Sequence, residues 1–286
     1  IAPLLVSPVY SIVIGVLAGG VLQLVIQLPY MAKFGMLPRL SFRFSDPAIK
    51  KIFLLMAPAT FGIGIYQLNL FVTMWFSSRL PEGAASYLYY AGRLMELPLG
   101  IFAVSVTTAV LPSLSEQVAK KEWDGVKSSL SFAVRLVNFV TIPATVGLLV
   151  LSVPIVEALF RRGEFSTVDA AGTASALYWY ALGLVPVAVS RIFISVFYSM
   201  KDTATPVWIA FLAFVVNALF CFALVGPMGH AGLALATTLS SAVNCVVLFV
   251  ILKKRLGRIG ATEVIASGFK SLGASLVMGL AIYLIV

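Results

Sequence analysis

Residues 85–112 read "ASYLYYAGRLMELPLGIFAVSVTTAVLP", an apolar run interrupted only by Arg93 and Glu96. The run is far longer than the 9–11 residues a barrel strand needs, and it shows no sustained alternation. It therefore predicts a helix long enough for the ~20 apolar residues of a bilayer crossing. An ionised side chain near the centre of such a helix costs roughly 2.5–3.5 kcal/mol on insertion scales. The fold and the function of the chain both turn on why this helix carries an arginine and, three residues later, a carboxylate.

Lipid is the solvent that the composition demands. Of 286 residues, 60% are hydrophobic and 11% are charged, and mean hydropathy is +1.03. Soluble domains carry about 25% charged residues. Eight segments predict spans, at about 4–32, 52–77, 85–112, 131–159, 169–199, 206–226, 231–252 and 264–286. The expected fold class is all-α, a polytopic bundle of transmembrane helices. The chain starts at Ile1 in apolar sequence and stops at Val286 in another apolar run, so both ends read as cut from a longer chain.

Short polar connectors separate the spans. "SDPAIKK" (45–51) predicts a helix start with Asp46 as cap and Pro47 at the first helical position, and Thr205–Pro206 predicts another. The connector 113–130, "SLSEQVAKKEWDGVKSSL", offers a Ser113–Glu116 capping box. It predicts a short amphipathic helix, either on the membrane surface or as a solvated connector. Connectors after the first, third, fifth and seventh spans hold 13 Lys and Arg, and those after the second, fourth and sixth hold three. Positive charge marks cytoplasmic loops, which puts Ile1 on the outer side. The net charge of +9 is mostly this signal. Scattered through membrane loops, it gives no nucleic-acid surface.

No nucleotide loop, nucleophile elbow, zinc spacing or catalytic carboxylate pair occurs, so no enzyme activity and no cofactor are expected. Cys221 and Cys245 fall within spans as small hydrophobes, and His230 lies in the turn "GPMGHAG" as an expected loop residue. Gly15 and Gly19 form a GxxxG pair suited to close helix approach. The unusual groups are those inside spans, chiefly Arg93, Glu96, Arg191, Asn138 and Asn217. Arg93 and Glu96 share a helix face, and Ser86 lies about two turns before Arg93. Two readings stand. The pair neutralises itself and fixes packing, or it lines a watered cavity where the planar guanidinium meets a phosphate. Tyr87, Tyr89 and Tyr90 beside it suit an amphiphilic ligand with a phosphate head.

At these residues the sequence resembles the MurJ (MviN) family of lipid II flippases, within the multidrug/oligosaccharidyl-lipid/polysaccharide exporter superfamily. The resemblance rests on "GVLAGGVLQLVIQLP" (15–29), "SYLYYAGRLMELPLGIF" (86–102), "LPSLS" (111–115), "RRGEF" (161–165), "FYSMKDTATPV" (197–207) and "GHAGLALATTLS" (229–240), in that order. It implies a fourteen-helix, two-lobed, MATE-like fold around a central cavity. Of this the chain supplies the sixth to about the thirteenth helix: 1–32 as the last helix of the amino-terminal lobe, 33–51 as a basic cytoplasmic connector, and 52–286 as helices of the carboxy-terminal lobe.

The partner so implied is lipid II, an undecaprenyl-pyrophosphate-linked saccharide-peptide, moved across the bacterial cytoplasmic membrane by alternating access. Arg93 falls on the family's cavity arginine, implied to bind the pyrophosphate, with Ser86 and Glu96 on family positions beside it. Gly92 stands where the family usually has Asp. Some members bind sodium with acidic side chains. Here Asn217 and Thr237 match that site, but Thr73 and Cys221 replace the acids, and neutral ligands hold a hard cation less well. The other readings are an exporter of another polyprenyl-linked saccharide or of a drug, and a non-transporting membrane scaffold.

Overall fold

A computed structural model describes residues 8–35, 60, 64–65, 67–257 and 259–285. Among these, every regular element is a helix, as lipid requires of segments that must satisfy their own backbone polar groups. The chain divides into two compact units, Ile1–Phe53 and Leu54–Val286. In the first, helix α1 (Pro8–Lys33) leaves its apolar side chains, Leu17 and Ile26 among them, well exposed. No side chain approaches Gly15 or Gly19 there.

The second unit begins with α2 (67–77) and α3 (Ala84–Pro98). A π-turn over Leu99–Ala103 joins α3 to α4 (Val104–Ala119). Then follow α5 (Trp123–Val150), α6 (Ser152–Phe160), α7 (Thr167–Ala181) and α8 (Leu184–Ser199). The last three are α9 (Ala204–Met228), α10 (His230–Leu256) and α11 (Ala261–Ile285). Among the described residues six helices are long and apolar enough to cross a membrane, or seven if the α7–α8 pair, bent by 45°, is one span. The expected span at 52–77 lies partly, and the Asp46 cap wholly, outside the described residues.

Small residues are interspersed with buried Leu, Val, Ile and Phe in the core. Ala91, Ala103, Ala133, Ala176, Ala181 and Ala188 are fully buried, whereas Phe71, Trp208, Phe222 and Tyr283 point outward. In lipid no hydrophobic force drives helices together, so close approach over small side chains has to hold them. Gly232 is one such position, since a Cβ there would run into the Leu224 backbone.

The structure corrects several sequence expectations. Segment 113–130 is no separate helix. The Ala84–Ala119 span runs 36 residues, about 54 Å at 1.5 Å per residue, and outreaches a ~30 Å hydrocarbon core. Its polar end stays helical through a Glu116–Lys120 pair at 2.7 Å, so Ser113 caps nothing. The chain turns only at Lys120–Glu122, with Lys121 at φ +60°, and Gln117 accepts from Ser129 across the turn at 3.0 Å.

The expected span 131–159 breaks at Leu151, where α6 begins; Pro154 in its first turn offers no amide to continue α5. In the α7–α8 bend the Gly183 amide bonds to Tyr180 O at 2.8 Å. That frees the Trp179 carbonyl, which accepts from the Thr238 hydroxyl of α10 at 2.7 Å. Helix α9 starts at Ala204, not after Thr205. Asp202 accepts from the Thr205 amide at 3.0 Å and its hydroxyl at 2.6 Å, so the aspartate does the capping. His230 is no loop residue: it opens α10 and contacts Gly172 O at 3.0 Å.

Candidate functional site

Helix α3 has two unlike faces. Leu88, Ala91, Leu94 and Met95 are buried, on the side packed mainly against α7. Ser86, Tyr89, Arg93 and Glu96 are exposed, and offsets of three, seven and ten residues stack them along one side of a 3.6-residue helix. Ser86, Arg93 and Glu96 are thus brought onto one face, with Ser86 about 10 Å along the axis from Arg93.

Arg93 Nη1 donates to Glu96 Oε2 at 2.8 Å, with the side chains 59% and 50% exposed. The Arg93 guanidinium carbon also lies 5.0 Å from the Tyr89 ring centroid. This geometry leaves much of the guanidinium's donor fork uncovered, so it retains capacity for phosphate oxygens. Charges on that face are incompatible with hydrocarbon and need water or another polar surface opposite them.

The three neighbouring tyrosines divide. Only Tyr89 joins the arginine. Tyr87 turns the other way, donating to Asp169 Oδ1 at 2.8 Å and meeting the His230 ring edge-on at 5.3 Å. Gly172 is needed there, since a Cβ would come within 2.6 Å of the Tyr87 ring. Tyr90 packs between Phe160 and Phe165 at 4.8 and 5.6 Å. Sequence spacing could not separate these roles, because the partners come from distant parts of the chain. Also absent from the sequence reading is the π-turn that follows Pro98, one turn beyond Glu96. Such turns recur at functional sites and re-aim the helix that carries them.

Asn217 and Thr237 do meet, but in a closed network. Asn217 is 2% exposed. Its Nδ2 faces Thr237 Oγ1 at 3.5 Å and Ser240 Oγ at 3.4 Å, while its Oδ1 accepts from Cys221 Sγ at 3.6 Å. The amide oxygen is already engaged, and no carboxylate takes part. This donor set does not fit a resident sodium ion. Among the described residues no group of three or more His, Cys, Asp or Glu side chains could hold a metal.

The family model "Lipid II flippase MurJ" matches residues 2–286. A Vibrio cholerae protein named "Probable lipid II flippase MurJ" is 36% identical over 249 residues, 87% of this chain and 47% of that protein. The Burkholderia cenocepacia "Lipid II flippase MurJ" is 34% identical over 259 residues, 89% and 50% respectively. A solved lipid II flippase MurJ in an inward closed conformation superposes with a TM-score of 0.71 at 30% identity, over 82% of this chain and 49% of that one. An outward-facing multidrug MATE transporter of the MOP superfamily, with a TM-score of 0.60 at 14% identity, shares the fold. The chain spans about half the length of the curated relatives it matches.

Proposed function

The chain belongs to the MurJ lipid II flippase family, and from that membership we propose that it forms the carboxy-terminal portion of a flippase. The cargo is lipid II, carried from the inner to the outer leaflet of the bacterial cytoplasmic membrane. Alternating access moves the saccharide-pyrophosphate head through a watered cavity while the polyprenyl tail stays in lipid. The work is binding and release, without covalent chemistry. Following the loop charges, the first residue lies on the outer side.

One observation carries the proposal: Arg93 keeps its guanidinium exposed on a face of α3 that lipid cannot cover. Beyond its one bond to Glu96 the guanidinium keeps donors free for phosphate oxygens. In this reading Arg93 grips the pyrophosphate. Glu96 holds the guanidinium in place between cargoes, and Ser86 offers a hydroxyl two turns away. Tyr89 flanks the fork so that one of its edges faces the cavity.

The test is cell-wall complementation by the intact flippase. Arg93→Ala should fail to support growth while inserting normally. Arg93→Lys keeps the charge but loses the two-pronged donor geometry, and should be substantially impaired. Normal growth with Arg93→Ala would refute the assignment.

A further inference from the structure

Helices α5 and α11 run side by side in the same direction. A Cβ at Gly260 would sit 3.2 Å from Ser131 Oγ, and Arg135 reaches Glu263 at 3.9 Å. Further along, a Cβ at Gly279 would sit 2.7 Å from Val146. Between these two levels the helices part around a cavity of about 310 Å³ lined by Phe139, Pro143, Ser267, Lys270, Ser271 and Ser275, among others. Lys270 and three serines border this largely apolar gap between two membrane helices.

The charge balance of this gap is unfinished. The single acid in the first turn of α11, Glu263, is turned toward Arg135, and no carboxylate pairs with Lys270 among the described residues. Ser275 donates to Ser271 O at 2.6 Å. The hydroxyl of Ser271, 9% exposed overall, has no partner, and Ser271 is among the residues lining the gap. Lys270 lies nine residues past the start of α11, about 13 Å along it. A lysine stem extends back toward the helix start and can carry its ammonium toward the bilayer surface. Lys253, Lys254 and Arg255, at the end of α10, stand just before that same start in the chain.

We infer that the α5–α11 gap binds one anionic phospholipid, its phosphate held by Lys270 and the hydroxyls of Ser267 and Ser271. Phe139 and Pro143 form the apolar wall for the upper acyl chain. A largely apolar cavity of about 310 Å³, at the small end of ligand pockets, suits the upper part of one acyl chain, with the phosphate at its Lys270 edge. The site lies on another helix pair from Arg93 and is independent of the cargo assignment.

Native mass spectrometry of the intact flippase, purified into micelles doped with equal phosphatidylglycerol and phosphatidylcholine, tests it. The wild type should retain one phosphatidylglycerol, and Lys270→Arg should too. Lys270→Ala should lose at least fivefold of that occupancy at unchanged melting temperature. Ser267→Glu, which supplies the ammonium with an internal carboxylate one turn away, should lose it as well. Millimolar inorganic phosphate should not displace the lipid. Equal retention of phosphatidylcholine, or full retention by either loss variant, would overturn the site. Displacement by phosphate would overturn the lipid assignment in favour of a simple anion.

Discussion

Arg93 and Glu96 touch at 2.8 Å, yet each side chain stays half exposed or more on the uncovered face of a membrane helix. A pair in this position is neutral in sum and still open to a ligand. The guanidinium carries more donors than one carboxylate can engage. Neutrality lowers the cost of inserting the helix, and in the proposed function the free donors are the ones that would meet the cargo's phosphate. The same relationship is compatible with both readings of the sequence, and it makes them separable by mutation.

The second contact with a consequence joins α3 to α7. Tyr87→Phe removes its hydrogen bond to the Asp169 carboxylate and keeps the ring, so thermal unfolding in detergent should show a modestly lowered melting temperature. Gly172→Ala drives a methyl against the ring and should cost more. Shortening the ring in Gly172→Ala/Tyr87→Ala should relieve part of that excess. A Gly172→Ala protein as stable as wild type would contradict the packing described.

The connector between α8 and α9 gives a pH dependence. Burial raises the pKa of Asp202, but hydrogen bonds from the Thr205 hydroxyl and amide and the Arg255 guanidinium outweigh it and hold the carboxyl below its ordinary value. Arg255 Nη1 lies 2.6 Å from the carboxylate. A depressed folded-state pKa adds stability that is fully present above the unfolded value of about 3.9 and is lost as pH falls through the folded value. Melting temperature should therefore fall below about pH 4 in the wild type, and less steeply in Asp202→Asn. Parallel pH profiles would remove the role assigned to Asp202.

Much of this was legible in the chain itself, and the parts that were not share a physical cause. Apolar length announces a span wherever lipid is the only solvent, so α9, α10 and α11 follow the sequence closely. Helix α4 does not, because beyond the bilayer a helix is polar and reads as a connector until the Glu116–Lys120 pair is seen to continue it. The face shared by Ser86, Arg93 and Glu96 follows from helical spacing alone. The fates of Tyr87 and Tyr90 do not, since Asp169 and Phe160 lie dozens of residues away. The breaks at Leu151 and Gly183 had a local sign in Pro154 and Pro186, but proline is also common in unbroken membrane helices.

Sodium should be irrelevant to this protein's stability. With the Asn217 amide already engaged by Cys221, Thr237 and Ser240, exchanging sodium for potassium at constant ionic strength should leave the melting temperature unchanged. A sodium-specific rise would show that the network opens to hold a cation.

Orientation can be read by labelling single cysteines in a background lacking Cys221 and Cys245. Positions 81–83, in the loop before α3, should react with impermeant reagents from outside the cell. Positions 120–122, in the turn between α4 and α5, should react only after the membrane is permeabilised. The reverse pattern would invert the topology.

The most direct measurement of the central claim compares Arg93→Ala, Glu96→Ala and Arg93→Ala/Glu96→Ala in the intact flippase, scoring complementation and thermal stability together. If the pair serves only packing, Arg93→Ala strands a carboxylate and destabilises the protein, and the double substitution restores both stability and growth. If Arg93 grips the cargo's pyrophosphate, the double variant is as stable as wild type and supports no growth. A stable, inactive double variant is the predicted result, and one that complements normally would contradict it.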